Sequence, residues 1–269
     1  MPELPAKSRP VAWLAASLML MASMIATMAA AEPGSDKWTF SAELYGWLPD
    51  IKTTTATGGD IDITQHDIIE NIQMFFFANA AAYKGKWSLF ADTVYFKISE
   101  DGGLTESIPV LGPIDLDVDL EADIAMKAFV GTLGGTYNVF DNDKATVNLV
   151  GGARYLWIQL DTKFDFSTVV LGQEVNREEN EKDSVDVWDG IVGIKGQVNL
   201  NDKWYLPYYA DVGTGQSDLT WQAAAGVGYK FKWGDVSLIY RYLDYEFESD
   251  YLLDDLTAKG PQVGAKFYF

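Results

Sequence analysis

Over residues 219–233 the chain alternates. Leu219, Trp221, Ala223, Ala225, Val227, Tyr229, Phe231 and Trp233 are apolar or aromatic, while Thr220, Gln222, Ala224, Gly226, Gly228, Lys230 and Lys232 fill the positions between them. A period of two sends the two sets to opposite faces of a strand, and the run exceeds the roughly 9–11 residues with which a tilted strand crosses a bilayer. A helix would scatter the lysines around its axis. The end of the chain repeats the pattern, with Val263, Ala265, Phe267 and Phe269 on one face and Gln262, Gly264, Lys266 and Tyr268 on the other.

The same alternation predicts further strands at 38–48, 72–84, 87–98, 114–140, 144–166, 186–200, 204–212, 235–247 and 259–269. Ten strands in all predict an antiparallel, up-and-down transmembrane β-barrel of the all-β class, with eight or twelve strands as alternatives. Residues 51–64 read as a small hairpin about Gly58-Gly59, and twelve strands would result if it joined the wall. Residues 65–71 read as one or two helical turns, with Ile68, Ile69 and Ile72 on one side. Two long loops are expected at 99–113, with Gly102-Gly103 as a turn, and around Glu174, Glu178, Glu179, Glu181 and Asp183, a solvated charge run.

With an even count both termini lie on one side of the membrane, and the short connections at Gly85, Asn142, Asp202 and Gly234 fall on that side too. All the long connections fall opposite, and the arms at 114–140 and 144–166 should project beyond the bilayer. Indole rings favour the membrane interface. Trp38, Trp87, Trp204 and Trp233 are therefore expected at the periplasmic edge, and Trp157, Trp188 and Trp221 at the outer edge. Trp47 also lies near the outer edge, but its parity points to the lumen.

Composition narrows the picture. The 269 residues carry a net charge of −19, 14% aromatics and no Cys, so disulfides and thiol chemistry are excluded and nucleic acid is a poor partner. Lys7 and Arg9, an apolar stretch over 11–28, and Ala29-Ala30-Ala31 form a signal peptide with cleavage expected after Ala31; an uncleaved anchor is the alternative. The remainder, 32–269, is the barrel with its extracellular loops.

Several segments carry a resemblance: Asp67-Ile-Ile-Glu-Asn-Ile72, Lys84-Gly-Lys-Trp-Ser-Leu-Phe-Ala-Asp92, Ser217-Asp-Leu-Thr-Trp-Gln222, Trp233-Gly-Asp-Val236, Tyr240-Arg-Tyr-Leu243 and the end from Gly260-Pro261 to Phe269. Together they resemble a family of uncharacterised bacterial outer-membrane β-barrel proteins, over most of the chain after the leader. Gln262, Gly264, Phe267 and Phe269 resemble the C-terminal assembly signal of such barrels. The resemblance implies residence among outer-membrane lipid and lipopolysaccharide, and delivery by the barrel-assembly machinery through the last strand. It implies no activity.

Strand parity places Glu43, Asp92, Lys127, Arg154, Lys195, Asp211, Lys230, Arg241 and Lys266 in the lumen. Buried charges must pair, so they form either a salt-bridged plug or the charged lining of a narrow small-solute pore. Arg154 and Arg241 are the expected hubs, each able to bridge two carboxylates. Glu43 and Asp211 are the expected partners of Lys230, Arg241 and Lys266, with Glu43 and Lys266 meeting where the first and last strands close.

Asp115, Asp117, Asp119, Glu121 and Asp123 line one face of a strand, either as a solvated acidic face or as a site for a divalent cation. They raise the alternative of a surface adhesin or receptor. His66 is the single histidine and precedes the short helix; a loop-based hydrolase is the remaining alternative. No cofactor motif is present, and a non-enzymatic barrel is the expectation. The mature protein should fractionate with the outer membrane, migrate faster on gels unless boiled, and begin at Glu32 on N-terminal sequencing. Recovery as a soluble periplasmic protein would contradict the barrel.

Overall fold

The computed structural model describes residues 37–54, 60–109, 115–170, 173–247 and 253–269. Side chains at 60–61, 100–109, 115–124, 162–170 and 173–183 lie outside that description, as do the signal peptide expected at 1–31 and Gly58-Gly59. The strands are β1 (Thr39–Trp47), β2 (Asp50–Thr54), β3 (Asp60–Ile63), β4 (Ile72–Lys84), β5 (Trp87–Pro109) and β6 (Asp115–Asp141). They continue with β7 (Ala145–Val170), β8 (Gln173–Asn199), β9 (Trp204–Gly215), β10 (Leu219–Lys230), β11 (Asp235–Glu246) and β12 (Asp255–Tyr268). Among the described residues one helix, α1 (Gln65–Asn71), stands between β3 and β4.

Ten strands close the barrel. β1 pairs with β4, β4 to β12 pair in sequence, and β12 returns to β1, all antiparallel. Closure is forced by the solvent, because hydrocarbon offers no partner for an unpaired backbone N–H or C=O. At the seam Ser41 faces Tyr268, Glu43 faces Lys266 and Trp47 faces Gln262. Phe40 and Phe269 exchange two backbone hydrogen bonds of 3.0 and 2.8 Å, so the last residue completes the ring.

The alternation becomes an inside-out wall. Phe40, Leu44, Leu89, Leu133, Leu149, Val192, Leu238 and Val263 point outward and are exposed, and the opposite parity is buried in the lumen. This belt is what a bilayer requires and water does not tolerate. Trp38, Trp87, Trp188, Trp204 and Trp233 are exposed on the outer surface. Trp157 and Trp221 are half-buried on it, the latter stacked on Tyr242 at 4.6 Å.

The short turns follow local chemistry. Gly85 has φ +58°, which a glycine adopts without strain. Asn142 Oδ1 accepts the N–H groups of Lys144 and Ala145 at 2.9 and 2.8 Å, and Asn201 Oδ1 those of Lys203 and Trp204 at the same distances. The Asn side chain thus mimics the backbone in both turns.

Three expectations need correction. Residues 99–109 and 173–185 are strand rather than loop, and Gly102-Gly103 pairs with Ala122 and Glu121 instead of turning. The acidic run from Glu174 to Asp183 is likewise paired with β7. The reason is that the outer halves of β6 and β7 would otherwise expose two free edges; β5 and β8 satisfy them although their sequences alternate poorly. β10 also stops at Lys230, because Phe231 N–H turns back to Gly234 O at 2.8 Å.

The β2–β3 hairpin does not enter the wall. It continues above β1 and pairs with the outer end of β12, Ile51 opposite Ala258, so the sheet counts twelve strands and the barrel ten. Leu133 lies midway between the aromatic ends of its strand and is 68% exposed. Leu133→Arg should cost about 2–4 kcal/mol of barrel stability, read as a lower urea midpoint for the fast-migrating folded band in lipid vesicles.

Candidate functional site: the lumen

The lumen is filled in three layers. In the outer part, Val94, Phe96 and Ile98 of β5 meet Leu156 and Ile158 of β7, Val185 and Val187 of β8, and Leu243, Tyr245 and Phe247 at the end of β11. Trp47, Ile51, Phe77, Leu256 and Ala258 complete the cluster from β1, β2, β4 and β12. Val94, Val187 and Tyr245 are fully buried, and among the described residues an apolar-lined space of about 30 Å³ lies within the layer. Such a void offers water no polar partner and stays dry.

Helix α1 seals this layer. Ile68 enters the cluster and Ile72 packs against it, whereas Ile69 is 58% exposed; the expected three-isoleucine face is therefore two residues. Ile69 follows Ile68 directly, and about 100° of helical rotation carries it to the solvent side. The helix starts with a capping box in which Thr64 Oγ1 accepts Asp67 N–H, and Asp67 accepts Thr64 N–H at 2.9 Å. These Thr64 bonds hold the Asp67 carboxyl below its ordinary pKa. His66 sits on the exposed side of α1 with Nε2 3.4 Å from Glu70 Oε1.

Beneath the plug, at mid-wall, lie two arginines. Arg241 donates to Asp92 at 3.2 Å, to Gln222 Oε1 at 2.7 and 3.1 Å and to Tyr45 at 3.2 Å, and it stacks over Trp47 at 4.8 Å. Trp47 is thus an interior residue, with Nε1 donating to Gly260 O at 3.3 Å. Arg154 is fully buried and donates to Asp211, Thr220 and Thr132.

Each guanidinium hydrogen-bonds a single carboxylate and takes its other acceptors from neutral oxygens, rather than bridging two acids. Asp211 serves Arg154, and Arg241 takes Asp92, so the expected partner assignment changes. Simple proximity explains it: Asp92 and Gln222 face the same lumen level as Arg241.

The other charges are dispersed. Lys266 Nζ stands 3.6 Å from Glu43 across the closing seam. Lys195 lies over Phe90 at 4.9 Å, and Lys230 lies over Tyr205 and reaches Asn199 at 3.3 Å. Lys127 pairs with Asp161 at 2.9 Å, far outward of the arginines. Asp115 to Asp123 lie in β6, and their side chains fall outside the described residues.

At the C-terminus, Gln262 is buried in the lumen. A Cβ at Gly264 would collide with the Glu43 carboxylate. Phe267 packs on Trp233 at 5.4 Å.

Sequence reasoning missed Asp189, which is buried and accepts Ser217 N–H at 3.0 Å. It shares parity with Lys195, so the signal was present. Thr132 and Thr220 were missed because neutral hydroxyls do not announce themselves as ligands of a charge.

The third of the lumen nearest the short turns, the expected periplasmic end, is a cavity of about 600 Å³. Its deep end is formed by Arg241, Asp92 and Gln222, its walls carry Lys195, Lys266, Tyr83, Tyr205 and Tyr209, and its rim reaches the turns at Gly85-Lys86 and Asp141.

No family model matches the chain, and no curated protein matches it in sequence. Among solved structures, the outer membrane protease OmpT from Escherichia coli is similar over 91% of this chain and 100% of its own, at 10% identity and a TM-score of 0.45. The translocator domain of autotransporter NalP from Neisseria meningitidis is similar over 96% of both chains, at 15% identity and 0.40. Ail, the attachment invasion locus protein of Yersinia pestis, is similar over 86% of this chain and 98% of its own, at 14% and 0.31. These likenesses bring no residue, substrate or role to this chain.

Arg154→Met should destabilise the barrel by about 3–5 kcal/mol, because Asp211 is left buried without its counter-charge. Adding Asp211→Leu should return much of that loss in urea unfolding followed by tryptophan fluorescence. An Arg154→Met barrel as stable as wild type would remove the pair from the account of the lumen.

Proposed function

We propose that this outer-membrane barrel is a non-enzymatic structural element that does not conduct, and that it holds an outward β-extension at the cell surface. The observation that carries the reading is the dry apolar layer across the outer lumen. A pore needs a continuous polar path, and here Val94, Leu156, Val187, Leu243 and Tyr245 interrupt it. Of the two roles foreseen for the lumen charges, the salt-bridged filler is favoured over the narrow pore.

The extension supports a second role in display. Beyond the pairs Glu100 with Ile124 and Thr162 with Glu181, the strands β5 to β8 continue to pair with one another. Nine residues of β5 alone add about 31 Å at the usual strand rise. Surface recognition through this acidic sheet, with divalent cations drawn to the run from Asp115 to Asp123, fits the adhesin or receptor reading. A hydrolase is disfavoured because His66 is solvent-exposed on α1. Phe269, at the closing seam, is suited to recognition by the assembly machinery.

Wild-type protein in planar bilayers should give no stable unitary current, and regular conductance steps would overturn the sealed reading. Replacing 101–123 and 163–180 with Asn-Gly turns should leave the heat-modifiable barrel intact while abolishing any cell-surface binding.

A further inference from the structure

Sealing the outer lumen leaves the periplasmic cavity without a role. Its volume, about 600 Å³, falls within the roughly 300–1,000 Å³ of small-molecule sites, and it is open at one end only. The lining combines hydroxyls and ammonium groups with the apolar surfaces of Phe90, Ala224 and Ile239. We infer that this cavity binds a small organic carboxylate entering from the periplasm, with Lys195 as its counter-ion.

The charge balance around Lys195 carries the argument. Asp92 is engaged by Arg241 at the deep end, and Glu43 stands against Lys266 at 3.6 Å. Asp235, opposite both Lys230 and Lys266 in strand register, accepts the Tyr268 hydroxyl at 2.6 Å. On the cavity lining Arg241 and Asp92, Lys266 and Glu43, and Lys86 and Asp141 offset one another in sign, and Lys195 is left over. Among the described residues Lys195 makes no ion pair, and its contact is the face of Phe90.

A cation held in a low-dielectric wall without a counter-charge is costly, so a ligand that supplies one gains free energy. The surplus is a single positive charge, which a monoanion balances and a phosphate dianion exceeds. The apolar walls call for an organic body behind the carboxylate. In a chain of net charge −19, a basic interior also selects against the periplasm's cations.

Calorimetric titration of the folded mature barrel, with empty micelles as blank, should show saturable binding of benzoate. Benzyl alcohol, benzylamine and inorganic phosphate should bind at least tenfold more weakly. Lys195→Met should weaken benzoate at least tenfold while the protein keeps its heat-modifiable migration.

Equal binding of benzyl alcohol and benzoate, absence of benzoate binding, or an unchanged benzoate affinity in folded Lys195→Met would each overturn the site. If the variant does not fold, the wild-type series decides alone. Conductance is not a readout of this test, so a leaky barrel and an empty cavity are told apart.

Discussion

Every feature of this molecule depends on the closure between β1 and β12. In hydrocarbon an unpaired peptide group costs several kcal/mol, so a ten-stranded sheet with two free edges would not persist in the membrane. The seam does more than pair backbone. Register there sets Glu43 opposite Lys266 and Trp47 opposite Gln262, and a slip of one residue would turn these groups into lipid. Gly264 leaves room for the Glu43 carboxylate at the same place. Register, ion pair and glycine therefore specify one another.

Closure creates an interior that water reaches only at the ends, and the two halves solve this differently. Outward, the lumen strands carry Val, Leu, Ile and Phe, which pack into a dry layer. Inward, the same strands carry Thr, Tyr, Asn and Lys around a cavity. The arginines lie between, where each needs acceptors on several sides. Bonds from Arg241 to Asp92 and Tyr45 tie β11 across the lumen to β5 and β1, while Gln222 holds the same guanidinium from the adjoining β10. Neighbouring strands are already joined by backbone. These side chains instead brace the ring across its diameter, which backbone bonds cannot do.

Period-two alternation made the wall legible from the sequence, because one face meets lipid and a single reversal of parity would be costly. Residues 219–230, 235–246 and 72–84 were readable for that reason. Beyond the membrane the constraint lapses. In Glu174 to Asp183 both faces are polar, no alternation survives, and a paired strand looks like a charged loop. The lumen failed differently: parity identified who faces inward, while partners depend on stagger around the ring. Asp92 rather than Asp211 meets Arg241 because the wall brings β5 and β11 to one level, and no spacing within either strand encodes that level.

The interior also has a polarity that a symmetric structural plug would not need. An ideal filler would be apolar throughout or would pair every charge, since half-satisfied networks cost stability. The outer layer, lined by Val94, Leu156, Val187 and Leu243, holds no charge, whereas on the cavity side Lys195 rests on an aromatic face instead of a carboxylate. Selection for stability alone would favour Met or Leu there, at the same volume and without the desolvated charge. An unpaired ammonium beside a cavity of about 600 Å³ is thus a cost the fold carries, and the economical explanation is a bound anion that removes it.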